Sequence, residues 1–517
     1  MLTQIMATLS YNNVGKVGPV CLIIPPSVFL LDERVFMTLG VLRIAAVLEQ
    51  AGVKVEVLDF SGISNFVEAM NDHAKVSESA VFGITATTPQ LPAAADLAKT
   101  IRSARPDARI ILGGPHITLV SATLKREMRE GKPGRATSAM RVLENLFDVL
   151  VAGDGEEAIF RACSPNAPKL VDADEPKSEL FLTSKRLNEL PFPARHLVDL
   201  GSYHYSIDGK RAYSLIAQLG CPFECGFCGG RASPMLRKVR TRTSENIVAE
   251  MIHMYKHMNC SGFMFYDDEL NVNRKMVELM NLIAKTQCDL GVEWRLRGFI
   301  KAELFNEEQA EAMYRAGFRW ILTGFESGSP RILHNINKKA NREDNTRCVE
   351  IAKKHGLRVK ALMSIGHPGE TRETVLETKE WLLEVKPDAF DLTIITCYPG
   401  TPYYDEAVPT EDPEVWEYTY TKTGDKLYQV AVDFTRVADY YKGDPNGGYV
   451  AYVFTENISR EELVSIRGEV EREVREKLSI PYDVGALALR YEHSMGQAGP
   501  LPSNILRVGA PHPLSLR

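Results

Sequence analysis

Over its first 165 residues the chain alternates short apolar runs with amphipathic stretches of helical spacing. VCLII (20–24) and SAVFGITA (79–86) are nearly apolar throughout, the pattern of strands buried on both faces. VKVEVLDF (53–60) is β-branched and alternating, and ARIILGG (108–114) and DVLVAGDGEEAI (148–159) complete five strands. Between them, TLGVLRIAAVLEQAG (38–52) and LPAAADLAKTIRSA (91–104) carry helical spacing, the first with a stop at Gly52. Strands alternating with helices predict an α/β fold with a doubly wound, Rossmann-like parallel sheet. Ligands on such sheets sit at the carboxyl ends of the strands. Gly83, Gly113, Gly114, Gly153 and Gly155 are placed at those ends, where an ordinary tight turn also calls for glycine.

The pattern changes at 166–205, which holds Pro168, Pro176, Pro191 and Pro193 with charge between them and reads as a linker. A second alternating series follows, with strands predicted at 213–218, 262–267, 292–297, 319–325, 359–365 and 390–396. SENIVAEMIHMYKHM (244–258) is a helix between the first two, with Ser244 as its N-cap. Six such units without a dinucleotide fingerprint predict a partial (β/α)6 barrel over 206–405, with its chemistry where strands end. Residues 406–517 predict a small α+β domain that closes the barrel mouth. It contains the charged helix 459–478, with Ser459 and Glu462 in capping-box spacing. The tyrosines of YTYTKTGDKLYQV (418–430) and DYYKGDPNGGYVAYVF (439–454) are candidate substrate contacts or ordinary half-buried strand residues.

Charge narrows the function classes. With 61 basic and 67 acidic residues, a net charge of −6 gives no electrostatic case for nucleic acid or an anionic membrane. No apolar run is long enough for a membrane span, and no leader pattern precedes the first strand, so a cytoplasmic protein is expected. The nine cysteines are sparse and odd in number, unlike a disulfide framework.

Three of the nine, Cys221, Cys225 and Cys228, fall within GCPFECGFCGG (220–230), just after the first barrel strand. Thiolates bind soft metals and iron–sulfur clusters, and three ligands leave one metal position open for catalysis. Spacing alone leaves open a zinc site completed by a distant ligand. Placed after the first strand of a β/α barrel, Cys-x3-Cys-x2-Cys resembles the cluster loop of radical SAM enzymes. That resemblance implies a 4Fe-4S cluster on these three thiolates and S-adenosylmethionine (SAM) chelated at the open iron. Reductive cleavage of SAM then gives methionine and a 5′-deoxyadenosyl radical. Phe227 matches the aromatic that covers the cluster in that family. FMFYDDEL (263–270) ends the second strand, and one of Asp267, Asp268 and Glu269 is expected to hold the SAM ammonium group. The family's glycines are missing there, which leaves the choice open. TGFESGS (323–329) resembles the family's Gly-x-Glu-Ser-Gly segment and places Glu326 and Ser327 near SAM. Arg297 is expected to pair with the SAM carboxylate or to serve as a structural ion-pair partner.

Further strings narrow the branch. ILGGPH (111–116), VAGDGEEAI (151–159), LNELPFPARH (187–196), IGHPGET (365–371) and CYPGTPYY (397–404) resemble radical SAM enzymes with an N-terminal cobalamin-binding domain. The resemblance implies cobalamin bound by residues 1–165, with the five glycines and Thr85, Thr87 and Thr88 along its loops. Asp-x-His-x-x-Gly, whose histidine ligates cobalt in many cobalamin domains, is absent. His116, near a predicted cobalamin loop, is expected to make a polar contact rather than to ligate cobalt. The family further implies a methyltransferase that moves a methyl group from SAM, by way of methylcobalamin, to an unactivated carbon or phosphorus of a small molecule. A flavodoxin- or ferredoxin-like electron donor goes with it. A cyclase or rearrangement enzyme is the alternative. A methylthiotransferase needs a second cysteine trio, whereas residues 1–165 hold only Cys21 and Cys163. A cobalamin sensor has no use for an open-sited cluster.

Overall fold

The computed structural model describes residues 17–27, 34–438 and 450–480. The first sheet is parallel, and its strands are β1 (Val20–Ile24), β2 (Val55–Asp59), β3 (Val81–Thr85), β4 (Arg109–Gly113), β5 (Val149–Gly153) and β6 (Leu170–Ala173). Their order is β2-β1-β3-β4-β5-β6, which puts the switch point between β1 and β3. The apolar runs 20–24 and 110–112 sit on interior strands of the sheet, with helices on both faces, as their lack of alternation demands.

The stretch read as a linker is packed structure. Its first part supplies β6, an edge strand that alternates half-buried and buried residues. A four-residue edge strand leaves little apolar signal, and the prolines around it hid the rest. Further on, the Ala194 N–H donates to Leu42 O at 2.9 Å. The buried Arg195 donates to Ser214 O at 2.9 Å and pairs with Glu250 at 2.7 Å. Glu250 also pairs with Arg242 at 2.6 Å. This buried carboxylate between two guanidiniums ties linker to barrel. Burial works to raise its pKa, but the two arginines outweigh that and hold it at about 2. Glu250→Ala leaves two buried cations uncompensated and should cost about 3–5 kcal/mol, read as a lower urea midpoint. Because the folded pKa is depressed, the stabilisation by Glu250 is complete above about pH 4.3 and is lost as pH falls toward 2.

The second sheet has β7 (Ser206–Ile207) antiparallel to β8 (Lys210–Leu215). Parallel to β8 run β11 (Gly262–Phe265), β12 (Arg295–Phe299), β13 (Phe318–Glu326), β14 (Arg358–Ile365) and β15 (Ala389–Ile394). Between β8 and β11 comes an antiparallel ribbon of β9 (Gln218–Leu219) and β10 (Arg240–Thr241). The six-unit partial barrel is thus present, with its first strand three residues earlier than predicted. The helix Ser244–Met258 is capped by Thr243, whose hydroxyl accepts from the Asn246 N–H, so the N-cap lies one residue before the predicted Ser244.

A small antiparallel sheet follows: β16 (Val408–Pro409), β17 (Val415–Thr419), β18 (Lys426–Val430) and β19 (Val453–Phe454). The helix Arg460–Leu478 carries the predicted capping box at Ser459 and Glu462. Its charges cover the barrel's edge strand. Glu471 accepts from the Leu392 N–H at 2.7 Å, and Arg467 and Arg475 donate to Leu392 O at 2.9 Å and Phe390 O at 2.7 Å. Side chains thereby satisfy backbone groups of β15 that would otherwise template another strand. Residues 439–449 of the tyrosine-rich string lie outside the described residues.

Candidate active site

The three clustered cysteines lie in the loop between β9 and β10. Gly220 opens it at φ +86°, and a Cβ there would stand 2.4 Å from Lys238 O, so only glycine fits. The loop is then pinned from several sides. The Cys221 N–H donates to Leu236 O at 2.9 Å and the Gly226 N–H to Ile336 O at 2.8 Å. The Gly230 N–H donates to Gly400 O at 3.1 Å, and Gly226 O accepts from the Tyr403 N–H at 3.3 Å. Arg237 donates to Phe223 O and Pro222 O at 2.7 and 2.8 Å. Strand-end loops that follow β13 and β15 therefore hold the thiols in place.

Cys225 is buried and Cys228 is accessible. Burial nevertheless pushes the Cys228 thiol far up, as expected for a side chain lining an internal recess. Burial, then Glu269 and Asp268, raise Cys221 to about 11. The thiols are thus protonated at neutral pH, and a metal must displace those protons. The three sulfurs are not all within 4.8 Å of one another. Phe227 packs beside the loop, its ring 5.3 Å from that of His367 and in contact with Ile332, Leu333 and Ile336.

The three acids after β11 separate by environment. Asp267 is buried and accepts from the backbone N–H groups of Ala217 and Gln218, so its carboxylate is spent on holding the loop after β8. Asp268 is exposed overall; desolvation of its carboxyl raises its pKa against the Gly220 N–H, and its charge acts on Cys221 and Cys228. Glu269 keeps a buried Oε2 without a hydrogen-bond partner. Burial raises it to about 7 against the pull of Lys338 and Lys301. An orphaned carboxylate oxygen beside the cysteine loop fits the ammonium of SAM.

Glu326 sits at a bulge of β13 with φ +66°, a left-handed conformation that is strained for a side-chain residue. The bulge turns its carboxylate inward. Lys338 Nζ donates to Oε1 at 3.1 Å, Ser364 Oγ donates to Oε2 at 2.9 Å, and Ser364 Oγ lies 2.8 Å from His367 Nε2. A Cβ at Gly324 would meet Glu326 Oε1 at 2.4 Å and push that carboxylate aside. Ser327 turns away, its hydroxyl 3.0 Å from Thr378 Oγ1 and accepting from the Ser329 N–H. Sequence reasoning missed Lys301 and Lys338. Both are buried, and their charges act on Cys225. Lys301 Nζ is 4.1 Å from the centroid of the Phe223 ring and pairs with Glu303 at 2.7 Å. Burial works to lower Lys338, yet Glu326, Cys225 and Glu269 hold its pKa far up. Arg297 is absent from this cluster. It lies on the inner barrel face and donates to the Tyr205 hydroxyl at 3.3 Å.

In the first domain, four of the five glycines answer to packing. Gly83 lies in the middle of β3, not at its end, and a Cβ would meet Leu22 at 2.9 Å. Gly114 (φ +97°) presses on Thr85 and Ala86, Gly153 (φ +92°) on the Ala173–Asp174 backbone, and Gly155 on Ile44. Gly113 alone of the five faces open space within 4 Å. The exposed Thr87 donates to Gln90 Oε1 at 3.0 Å. Gln90 in turn donates to Pro25 O and Ser27 Oγ at 3.0 Å each, bridging the switch point. His116 is buried, with Nδ1 3.1 Å from Thr88 Oγ1 and its ring 6.2 Å from that of Phe434. Burial lowers its pKa to about 4, so it is neutral at physiological pH. At the switch point, Gly113 with open space beside it and the exposed Thr87 leave backbone and a hydroxyl accessible to a ligand.

The first domain packs against the cysteine loop. The helix Pro115–Glu130, which follows β4, packs Leu119 against Gly229 of the cysteine loop and against Gly400. Its Thr123 donates to Asp405 at 2.9 Å. Below, Arg240 of β10 forms a buried pair with Asp154 at 2.5 Å.

The Radical SAM superfamily profile matches residues 215–382, and the B12 binding domain profile matches residues 33–144. An uncharacterized methyltransferase of Pyrococcus horikoshii is 28% identical over 402 residues, 76% of this chain and 84% of that protein. The anaerobic magnesium-protoporphyrin IX monomethyl ester cyclase of Cereibacter sphaeroides is 24% identical over 379 residues, 69% of this chain and 58% of that protein. The solved structure of the radical SAM methyltransferase TsrM from Kitasatospora setae, with cobalamin and a [4Fe-4S] cluster bound, has a similar fold. Its TM-score is 0.59 at 17% identity, covering 87% of this chain and 90% of that one. No helix among the described residues is long and apolar enough to cross a membrane. The chain is an enzyme that takes a 4Fe-4S cluster, SAM and cobalamin, and it belongs to the cobalamin-dependent radical SAM family, with methyltransferases among its relatives.

Proposed function

We propose that this enzyme methylates an unactivated carbon of a small molecule. The observation that supports this reading is the helix Pro115–Glu130 packed directly on the cysteine loop. It turns the carboxyl ends of both sheets toward one space, where a methyl carrier and a radical source must both reach the substrate. The chemistry supplied by the bound groups is reductive cleavage of SAM and methyl carriage at cobalt.

The chain's own residues have the following parts. Cys221, Cys225 and Cys228 hold the cluster, and Phe227 shields it. Glu269, with Asp268 beside it, receives the SAM ammonium, and Lys301 and Lys338 face its carboxylate. Glu326, fixed by Lys338 and Ser364, lies where a ribose hydroxyl donates to it. Gly113, Thr85, Thr87 and Thr88 line the cobalamin crevice, with His116 as a neutral polar neighbour and no ligand to cobalt. Among the described residues, the cobalamin domain takes in the stretch up to 174, the barrel 206–405 and the cover those beyond 405. Electrons come from a flavodoxin- or ferredoxin-like donor. The cyclase among the relatives keeps a second reading open, ring formation without methyl transfer.

A single-turnover assay separates the two readings without knowledge of the substrate. Cobalamin-loaded, reduced protein mixed with SAM should release about one S-adenosylhomocysteine per chain. A cyclase should release none.

A further inference from the structure

One row of residues lies in register across four neighbouring barrel strands: Ser214 on β8, Met264 on β11, Arg297 on β12 and Trp320 on β13. Their sequence neighbours Phe263, Phe265, Leu296 and Ile321 belong to the core under the helices, so strand alternation turns this row to the barrel interior. Two polar atoms of the row, Ser214 Oγ and Arg297 Nε, are buried without a hydrogen-bond partner. The Arg297 guanidinium sits 5.5 Å from the centroid of the Trp320 ring and touches the Tyr205 hydroxyl.

Three cations on the same sheet have carboxylate partners, and Arg211 and Arg319 donate to backbone carbonyls instead. Arg295 pairs with Glu293 at 2.9 Å, Lys360 with Asp391 at 2.7 Å, and Arg358 with Asp208. Arg297 pairs with no carboxylate among the described residues. An unmatched guanidinium facing the interior is costly unless an anion joins it. SAM has nearer partners at the cysteines in Lys301 and Lys338. Over Arg297 stands a chain of rings that starts in the first domain. Phe36 lies 5.0 Å from both Tyr205 and Tyr266, and Tyr266 lies 6.1 Å from Phe299 at the end of β12. Tyr266 is 48% exposed, an unusual loss of burial for a ring at a strand end inside a fold.

We propose that the substrate is an aromatic carboxylate. Its carboxylate binds Arg297 with help from Ser214 and Tyr205, and its planar skeleton lies against Phe36, Tyr266 and Phe299. This rests on the proposed function, whose active-site space the ring chain borders. A guanidinium holds a carboxylate through paired N–H donors that an uncharged amide cannot match.

The test is calorimetric titration of protein carrying both cluster and cobalamin. The probes are naphthalene-2-carboxylate, indole-3-propionate and 4-hydroxybenzoate, each against its primary amide. At least one acid should bind wild type about tenfold tighter than its amide, the size of one charge-assisted hydrogen bond. Arg297→Gln should erase that preference while iron and cobalamin content stay at wild-type values. Arg297→Lys should restore part of it, and Tyr266→Ala should weaken acid and amide alike. The inference is overturned if wild type prefers no acid over its amide, or if the preference survives in Arg297→Gln. Should Arg297→Gln lose its cofactors, Arg297→Lys and Ser214→Ala carry the comparison, and a preference undiminished in both overturns the inference. Protein that binds neither cluster nor cobalamin sinks the proposed function instead.

Discussion

Changing Cys221, Cys225 and Cys228 together to alanine abolishes the brown iron–sulfur absorbance of anaerobically reconstituted protein and reduces 5′-deoxyadenosine release to background. The loop itself should survive the change. Its shape is set by Gly220, by backbone hydrogen bonds to Leu236, Ile336 and Gly400, and by Arg237, none of which involves a thiol. The variant should therefore keep its far-ultraviolet circular dichroism and its cobalamin. Iron retained at wild-type stoichiometry would remove these cysteines from the cluster assignment.

Lys338→Met should weaken SAM binding to cluster-loaded protein by about a hundredfold or more, measured by equilibrium dialysis. Lys338 stands at the centre of the buried charge around the cysteines, 3.1 Å from Glu326 and close to Glu269 and Cys225. Without it, Glu326 remains at a bulge with φ +66° and loses the one cation paired with it among the described residues. Removing one partner of a buried pair costs about 3–5 kcal/mol, and each 1.4 kcal/mol is about tenfold in affinity. Part of that cost appears as lost stability, so the thermal midpoint should fall as well. Affinity for SAM within a factor of two of wild type would show that Lys338 balances Glu326 without touching the ligand.

How much of this was legible in the sequence depends on the kind of feature. Strands buried on both faces, such as 20–24 and 149–153, announce themselves because nothing polar interrupts them. β6 did not, since LVDA is short and half-exposed. The cysteine loop was readable because close thiols at a strand end have few other uses. The charges around it were not. Lys301 and Lys338 are single lysines in ordinary loops, and only the tertiary fold brings them to Cys225. The acids 267–269 looked equivalent in sequence, and hydrogen bonds alone distinguish Asp267, committed to Ala217 and Gln218, from Glu269, with a free oxygen. Ser327 follows the same logic: the bulge that turns Glu326 inward sends its neighbour toward Thr378. The glycines of the first domain misled in the other direction. Strand-end glycines resemble ligand loops, yet Gly114, Gly153 and Gly155 make room for their own chain.

The central claim is that one enzyme uses both groups in each turnover to add a methyl group. It is tested by product stoichiometry with trideuteromethyl SAM and the enzyme's own substrate, found by screening aromatic carboxylates. S-adenosylhomocysteine, 5′-deoxyadenosine and product carrying one added methyl group should form in a ratio of about one to one to one, with the deuterium label in the product. If 5′-deoxyadenosine rises with product while S-adenosylhomocysteine does not and no labelled methyl appears, methyl transfer is contradicted and ring formation or rearrangement is the activity.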